Sequence, residues 1–516
     1  MLSKVFSAAT YGIDAYIVTV ETHIENQMPA FVVVGLPDSA VRESRERVTA
    51  AIKNSGAPFP IKRIIVNLAP ADVKKEGSAF DLPMAIGILR ALDFITNEAL
   101  DQCLFIGELA LDGTLRPVHG VLPITIEARK QGYAKIILPA ENAREAAMVQ
   151  GIDVFPCISL NEAIDFLNGE HLNLRPYRVD IEEVFRDGQS HNLIDFSDVK
   201  GQENVKRALE VSAAGAHNAI MIGPPGSGKT MMAKRIPTIL PPLTFEEALE
   251  TTKIHSITGL LASGQALVTQ RPFRSPHHTI SDAALVGGGI GMARPGEIST
   301  SHNGVLFLDE LPEFARNVLE VLRQPLEDGQ VTISRSKMSI DYPANFMLLA
   351  AMNPCPCGNY GNALKACTCS SMEVQKYMSK ISGPLLDRID IHVECPQVKY
   401  QELASKRAGE RSEQIRSRVV EARKIQLERF KDHKGLYANA NMLSKDITKY
   451  CEIDQTCADL MKMAITKLGL SARAYDRILK VSRTIADLAA SDSIRPEHIS
   501  EAIQYRSLDR QMNGMG

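Results

Sequence analysis

A glycine-rich stretch at residues 223–230 carries the residue types best suited to binding phosphate. It follows an apolar run at 219–222 and precedes a segment, 231–236, that can continue as a helix. Glycines let backbone N–H groups turn towards a phosphate, and the helix N-terminus adds partial positive charge. Lys229 would contact the β- and γ-phosphates, and the Thr230 hydroxyl would bind Mg²⁺. A chance glycine-proline turn before a helix is the alternative, but all eight positions match the phosphate-loop pattern. The stretch therefore predicts an ATP site made of Gly223, Pro224, Pro225, Gly226, Ser227, Gly228, Lys229 and Thr230.

Two carboxylates follow a second apolar run. Residues 305–308 are typical of a buried strand, and the run ends in Asp309 and Glu310. A parallel strand beside the one before the phosphate loop would place Asp309 near Mg²⁺ and Glu310 facing the attacking water. Phosphoryl-transfer enzymes divide the work in this way. A strand ending in solvated acids is the alternative, and the upstream phosphate loop favours the catalytic interpretation.

Several stretches around these residues match motifs of known ATPases. Residues 196–202 resemble the segment that packs beside adenine in AAA+ ATPases, and Asn353, after a strand-like run at 346–351, matches sensor 1. That residue hydrogen-bonds the water and the γ-phosphate. Arg388 lies in a segment that resembles the arginine-finger motif of magnesium-chelatase and MCM ATPases. The resemblance implies that it reaches the γ-phosphate of a neighbouring subunit, so the active unit would be an oligomer. Arg473 matches sensor 2 of the helical lid.

Each of these polar residues also has an ordinary interpretation. Asn353 at a strand end is a common turn former. Arg388 could pair locally with Asp387 or Asp390. Arg477, one helical turn after the sensor 2 candidate, is the second choice for that role.

Four thiols in two close pairs predict a metal centre directly after the sensor 1 candidate. Thiolates in such pairs suit tetrahedral Zn²⁺, and free thiols or a redox switch are the alternatives. The adjacent His277 and His278 are not expected to bind metal, because neighbouring residues on an extended chain point opposite ways. The proposed zinc ligands are Cys355, Cys357, Cys367 and Cys369.

Two insertions carry basic residues that could touch a nucleic acid. Arg271 and Arg274 lie in a proline-rich stretch, and residues 330–342 predict a hairpin with Arg335 and Lys337 near its tip. In a closed ring, hairpins at these positions point into the pore, where basic tips could grip phosphates. Ordinary solvent-exposed surface is the alternative.

The composition sets the broad class of protein. A chain of 516 residues, 45% hydrophobic and 23% charged, predicts about three globular domains. Its formal charge of −3 means that any polyanion site must be local. No run is long enough for a membrane span, the N-terminus lacks signal-peptide features, and the nine cysteines do not form a disulfide scaffold. These features predict a cytoplasmic protein without membrane association.

The first 172 residues alternate strand-like and helix-like stretches. Strands are predicted at 17–20, 31–34, 64–68 and 135–138, a helix at 41–55, and a hairpin turning at Asp112-Gly113. Residues 107–121 and the following Ala-Arg-Lys-Gln-Gly resemble the proteolytic domain of Lon.

The catalytic Ser–Lys dyad of Lon is absent from this chain. Ala79 stands at the nucleophile position, Leu122 and Ile124 stand at the candidate lysine positions, and Ser78 lies one residue away. Without hydroxyl and amine no acyl-enzyme can form, so we expect a scaffold or a DNA-binding surface here. Proteolysis, with Ser78 as the nucleophile in a register shifted by one residue, is the alternative.

These elements predict an α/β chain of three domains. The Lon-like (ribosomal S5 domain 2-like) α+β domain spans 1–172 and a linker spans 173–194. An AAA+ P-loop α/β core with a parallel sheet spans 195–395, and a C-terminal helical lid, like that of magnesium chelatase, spans 396–516.

The chain as a whole is similar to the ComM/YifB family of magnesium-chelatase-like AAA+ proteins. The motifs at 274–278 and 295–299 and the four-cysteine loop carry the resemblance. It implies a homo-hexamer, formed with ATP and DNA, that acts on single-stranded or branched DNA. It further implies a branch-migration helicase that promotes integration of single strands in natural transformation. A magnesium-chelatase motor subunit, a protein-remodelling AAA+ ATPase and a DNA-binding ring that uses ATP only to assemble are the alternatives.

Overall fold

The computed structural model describes residues 1–96, 98–170, 174–187, 194–262, 264–289, 293–335, 338–361, 365–398, 409–433, 435–468 and 470–506. They fall into two compact units. Unit 1 is drawn from 1–189, 245–269 and 290–294, and unit 2 from 190–244, 270–289 and 295–516. No helix in the described ranges combines the length and apolar character needed to cross a membrane.

Unit 1 is built on a seven-stranded mixed sheet with the order β3-β4-β2-β1-β5-β8-β9. Its strands are β1 (Leu2–Tyr11), β2 (Asp14–Glu25), β3 (Ala30–Val34), β4 (Arg63–Ala69), β5 (Cys103–Phe105), β6 (Glu108–Leu109), β7 (Leu115–Arg116), β8 (Lys135–Pro139) and β9 (Asp153–Cys157). Its helices are α1 (Ser39–Asn54), α2 (Asp81–Ala91), α3 (Val121–Lys130), α4 (Ala143–Ala146), α5 (Leu160–Leu167), α6 (Ile181–Asp187) and α9 (Phe245–Thr258).

The strands, helix and hairpin predicted for the first part of the chain are confirmed. β6 and β7 pair antiparallel across the Asp112-Gly113 turn, with Glu108 opposite Arg116. The predicted helix at 41–55 is α1, and its N-terminus is capped by the Asp38 carboxylate, which accepts from the Val41 N–H at 2.8 Å.

The residues around the missing Lon dyad have structural partners. The Ser78 hydroxyl donates to the Glu108 carboxylate. Leu122 and Ile124 are buried in the first turns of α3, and the Leu122 N–H donates to Glu145 Oε1 at 2.8 Å. Leu122 and Ile124, the two positions considered for a catalytic lysine, therefore contribute to apolar packing.

A segment from the middle of the chain joins unit 1. Helix α9 lies inside the range predicted for the ATPase core, yet it packs on α3. Its Ser256 hydroxyl donates to the buried Glu145 carboxylate at 2.5 Å, and the Ser256 carbonyl accepts from the Gly120 N–H at 3.2 Å. These polar contacts join residues more than 100 positions apart, which no local pattern predicts.

Unit 2 contains a five-stranded, all-parallel sheet with the order β11-β14-β17-β10-β18. The remaining strands are β10 (Ala219–Ile222), β11 (Phe273–Arg274), β12 (Gly287–Gly288), β13 (Arg294–Pro295), β14 (Val305–Leu308), β15 (Gln330–Arg335), β16 (Met338–Pro343), β17 (Met347–Met352) and β18 (Ile391–Glu394). The remaining helices are α7 (Glu203–Gly215), α8 (Lys229–Arg235), α10 (Asp282–Val286), α11 (Glu297–Thr300), α12 (Arg316–Glu320), α13 (Arg323–Asp328), α14 (Ser371–Met378), α15 (Gly383–Leu386), α16 (Ser412–Arg429), α17 (Ser444–Tyr450), α18 (Gln455–Leu468), α19 (Ala472–Leu488) and α20 (Pro496–Gln504). Single 3₁₀ turns lie at Glu98–Gln102, Ala140–Asn142, Phe196–Asp198, Ile236–Thr238, Leu311–Glu313 and Asn439–Asn441.

The unit 2 sheet is buried on both faces, which explains the continuous apolar runs in its strands. Along β17, Leu349 and Ala351 face one hydrophobic cluster, and Leu348 and Ala350 face another. The expectation that the strand with the two carboxylates, β14, lies directly beside β10 is wrong. Strand β17 lies between them. Because all these strands are parallel, their carboxyl ends still meet at one edge.

The predicted hairpin and the predicted long C-terminal helix are confirmed. β15 and β16 pair antiparallel from Gln330 opposite Pro343 to Arg335 opposite Met338. The C-terminal segment is helical, and α19 is capped by the Ser471 hydroxyl. Of the two basic residues expected at the hairpin tip, Lys337 lies outside the described residues, and only the backbone of Arg335 is described.

Candidate nucleotide site and metal centre

The glycine-rich loop joins β10 to α8, as the sequence predicts. Gly226 and Gly228 have φ angles of 77° and 89°, in the left-handed region that favours glycine. The Gly223 N–H donates to the Met352 carbonyl at the end of β17 at 3.2 Å. Helix α8 begins at Lys229, so its free N–H groups face the loop. This geometry suits a phosphate cradle.

Lys229 and Asn353 are brought together at this edge. The Lys229 Nζ donates to the carbonyls of Gly223 at 2.7 Å and Pro224 at 2.9 Å, and to Asn353 Oδ1 at 3.2 Å. Burial lowers the pKa of Lys229, although the carboxylates of Asp309 and Glu310 partly oppose the shift. The Lys229 ammonium group and the Asn353 amide would therefore both face a phosphate bound at the loop.

The magnesium-ligand candidates also meet. The Thr230 hydroxyl donates to Asp309 Oδ2 at 2.6 Å, across the loop from β14. A hydroxyl and a carboxylate are oxygen ligands of the kind that Mg²⁺ prefers, so these two residues fit the ion. Glu310 follows Asp309 with a φ of 54°, a left-handed conformation that is uncommon for a residue with a side chain. Its carboxylate is 57% exposed and free to face a water molecule.

His278 lies beside Glu310, a contact that the sequence does not predict. The His278 Nδ1 lies 3.8 Å from Glu310 Oε2. The expectation that His277 and His278 point opposite ways is wrong: their ring centroids are 4.1 Å apart, since the segment turns here instead of running as a strand. Only the fold, which places residue 278 beside β14, reveals this contact.

Arg388 has local partners different from those considered from the sequence. Its guanidinium pairs with Glu327 and donates to the Pro384 carbonyl at 2.5 Å. The side chain is 7% exposed, and its Nε has no hydrogen-bond partner within the described ranges. A buried donor without a partner is unusual and suggests a site built for a further acceptor.

Arg473 lies in the same electrostatic cluster. Arg388 holds the pKa of Glu327 below its usual range, and Arg473 and Arg323 act in the same direction. Arg388, Glu327 and Arg323 also line a cavity of about 420 Å³. The two candidate nucleotide arginines therefore gather at Glu327, whereas Lys229 and Thr230 donate hydrogen bonds to the phosphate loop, Asn353 and Asp309.

Arg477, the second choice for sensor 2, has a buried structural partner. It pairs with the buried Asp390, which also contacts the ring of His217 at 3.3 Å. Burial opposes ionisation of Asp390, but Arg477 and His217 offset that effect and hold its pKa well below the usual range. The group joins α19 to the segment that carries Arg388.

The two basic residues of the proline-rich stretch are engaged inside unit 2. Arg271 donates to the carbonyls of Pro241 at 2.8 Å and Asn303 at 2.8 Å. Arg274 forms a two-bond pair with Glu297, at 2.6 and 2.7 Å, and this pair raises the pKa of Arg274. These contacts favour a structural role for both arginines.

The four cysteines of the predicted metal centre come together. Their Sγ atoms all lie within 4.8 Å of one another. The Sγ of Cys355 is 3.4 Å from that of Cys357 and 3.7 Å from that of Cys367, and the last two are 3.5 Å apart. Tetrahedral Zn²⁺ with Zn–S bonds of about 2.3 Å requires S···S separations of about 3.8 Å, so the set fits this ion.

Known proteins resemble this chain along almost its full length. Three family models match: magnesium chelatase, subunit ChlI, at residues 195–403; subunit ChlI of Mg-chelatase at 20–142; and the ChlI C-terminal model at 409–506. The competence protein ComM of Haemophilus influenzae is 45% identical over 513 residues, which cover 99% of this chain and 98% of that protein. The YifB protein of Escherichia coli is 45% identical over 511 residues, 99% of this chain and 98% of YifB. The chloroplastic magnesium-chelatase subunit ChlI of Nicotiana tabacum is 22% identical over 333 residues, 60% of this chain and 71% of that subunit. By this near-complete coverage, the chain belongs to the ComM/YifB family of magnesium-chelatase-like AAA+ proteins.

Proposed function

We propose that this protein is an ATP-driven DNA motor that works as a homo-hexamer in the cytoplasm. The observation that carries the proposal is the meeting of Lys229 with Asn353 and of Thr230 with Asp309 at one edge of a parallel sheet. Two of these side chains lie in the first turn of α8, and the other two directly follow β14 and β17. Their convergence supports ATP hydrolysis, the first step of the proposal.

Each residue of this edge has a distinct role in hydrolysis. The loop N–H groups and Lys229 bind the phosphates, and Thr230 and Asp309 would hold Mg²⁺. The ion would supply positive charge that offsets the negative charge of the phosphates. Glu310 orients the attacking water and accepts its proton, and Asn353 keeps the γ-phosphate in line with that water.

The arginines support a shared site between subunits. Arg388 and Arg473 lie together around Glu327, a residue of α13, instead of pairing with the carboxylates of the phosphate edge. In a hexamer, both would reach the nucleotide of the neighbouring subunit. A guanidinium at that position stabilises the charge of the transition state, typically by about 10³ to 10⁵ in kcat.

Single-stranded or branched DNA is the proposed substrate. Because Arg271 and Arg274 are engaged in internal bonds, the DNA contact is assigned to the β15–β16 hairpin, with Arg335 and Lys337 near its tip. Backbone phosphates would bind there in a salt-dependent manner. The relative ComM carries the name of a competence protein, which supports a role in competence, and within that role we propose branch migration during DNA uptake as the specific task. The proposal also includes Zn²⁺ at the four cysteines.

Three variants test the proposal together. Lys229→Ala should lose ATP binding, Glu310→Gln should bind ATP without hydrolysing it, and Arg388→Ala should assemble yet fail to turn over. Mixing Glu310→Gln with Arg388→Ala should restore part of the activity, because some interfaces regain both groups. Forked and three-stranded DNA should stimulate ATPase activity and be unwound. Stimulation by unfolded polypeptide instead would indicate a protein-remodelling ATPase, and indifference to DNA would favour a chelatase motor.

A further inference from the structure

The cysteine loop packs directly against the phosphate loop. Gly358, next to Cys357, has a φ of 78°, and a Cβ atom there would lie 2.4 Å from Pro225 Cδ and 2.7 Å from its Cγ. Only a glycine hydrogen fits in that space. The backbone of the cysteine loop therefore contacts the second proline of the phosphate loop.

The same loop begins at the sensor 1 candidate. Asn353 accepts from Lys229 Nζ and is two residues ahead of Cys355. One short segment thus contacts the phosphate-binding residues at two points, Asn353 and Gly358. Any change in the cysteine loop reaches the nucleotide site without an intervening element.

The four sulfur atoms are prepared for a metal by their surroundings. The Tyr360 N–H points at Cys355 Sγ at 3.3 Å, and the Cys357 N–H points at Cys369 Sγ at 3.4 Å. Such N–H···S contacts are the outer-shell support typical of thiolate metal sites. The Gly358 N–H donates to the Cys355 carbonyl at 2.9 Å, which ties the Pro225 contact to the ligand turn.

We propose that a soft divalent cation, Zn²⁺ in the first place, binds Cys355, Cys357, Cys367 and Cys369 and holds the cysteine loop against Pro225, so that metal occupancy sets the affinity of the phosphate loop for ATP. This inference rests on the proposed nucleotide site. The metal links two cysteine pairs with nine residues between them, and without it the loop gains conformations. Pro225 then loses its support, and ATP must order the loop on binding, which lowers affinity.

Metal removal provides the first test. The purified full-length protein should contain one zinc per chain by elemental analysis. Removing it with a chelator should weaken binding of a fluorescent ATP analogue by about five- to tenfold, the effect expected from one or two newly ordered residues. Adding Zn²⁺ back should restore the affinity. Absence of a bound metal, or unchanged affinity after its removal, would overturn the inference.

A glycine pair provides a test that leaves every thiol in place. Gly358→Ala forces the added methyl against Pro225, so it should weaken ATP binding while the zinc content stays at one. Gly361→Ala is the matched control, because Gly361 has a similar φ of 74° and open space around its Cβ position. Equal ATP affinities for the two variants would refute the coupling.

Cys367→Ser and Lys229→Ala separate the two proposals. Cys367→Ser should lose zinc and bind ATP as weakly as the chelated protein; if it does not fold, the glycine pair decides the question. Lys229→Ala should lose ATP binding and keep its zinc. ATP binding by Lys229→Ala at normal affinity would refute the nucleotide site itself, whereas its loss together with metal-independent affinity in the parent protein would refute only the coupling.

Discussion

Replacement of Arg388 by alanine should abolish turnover without loss of ATP binding. In the subunit, Arg388 pairs with Glu327, whose carboxylate is 50% exposed. Because the Arg388 side chain is only 7% exposed, the pair lies between an exposed pair, which contributes about 1 kcal/mol or less, and a buried pair, whose loss costs about 3 to 5 kcal/mol. A finger that raises the rate by a factor of about 10³ lowers the activation free energy by about 4 kcal/mol. The stabilisation of the transition state at a neighbouring nucleotide is therefore large enough to offset most or all of the free energy lost when Arg388 leaves Glu327.

These magnitudes distinguish a finger from a local ion pair. Arg388→Ala should lower kcat by about 10³ or more. Glu327→Gln, the matched variant, removes the competing charge but leaves the arginine, so its kcat should stay within a few-fold of the parent value. The assay is steady-state ATP hydrolysis with DNA present, together with equilibrium ATP binding and a check of assembly by size. Equal losses in the two variants, or a nearly unchanged kcat in Arg388→Ala, would refute the reasoning.

Further predictions concern the phosphate edge and the buried ion pair of unit 2. Lys229→Ala should lose ATP binding measured by fluorescence, whereas His278→Ala should lower kcat more than it changes ATP affinity, because the His278 ring lies beside Glu310 and not beside the phosphate loop. Asp390→Asn should lower the free energy of unfolding by about 3 kcal/mol in urea titrations at pH 7, because it leaves Arg477 without its buried partner. Since the folded-state pKa of Asp390 is depressed, its contribution is complete above the unfolded value of about 4 and is lost as the pH falls towards the folded value. The stability difference between the variant and the parent should therefore shrink below pH 4; a constant difference would contradict the assignment.

Local motifs were predictable because their geometry depends on neighbouring residues. The loop at 223–230 needs a strand before it and a helix after it, and both are visible as apolar and helix-forming runs. The hairpin β15–β16 and the turn at Asp112-Gly113 follow from turn chemistry. The four cysteines cluster because two close pairs share one short loop.

Contacts between distant segments were not predictable in the same way. Strand order decided that β17, and not β14, lies beside β10. Tertiary packing decided that Arg388 pairs with Glu327 of α13, whereas the nearer acid Asp390 pairs with Arg477. Neither the strand order nor the Arg388–Glu327 pair can be predicted from residues that are neighbours in the chain.

The sequence by itself determined the chemistry of this protein: a phosphate loop, two carboxylates, an amide, two arginines and four thiols, each at a spacing that its own segment imposes. The tertiary structure alone decided which of these groups meet. It placed Lys229 with Asn353 and Thr230 with Asp309, gathered the arginines at Glu327 and seated Gly358 on Pro225. The physical reason is that spacing along a chain constrains only near neighbours, whereas strand order and core packing set the distances between remote ones.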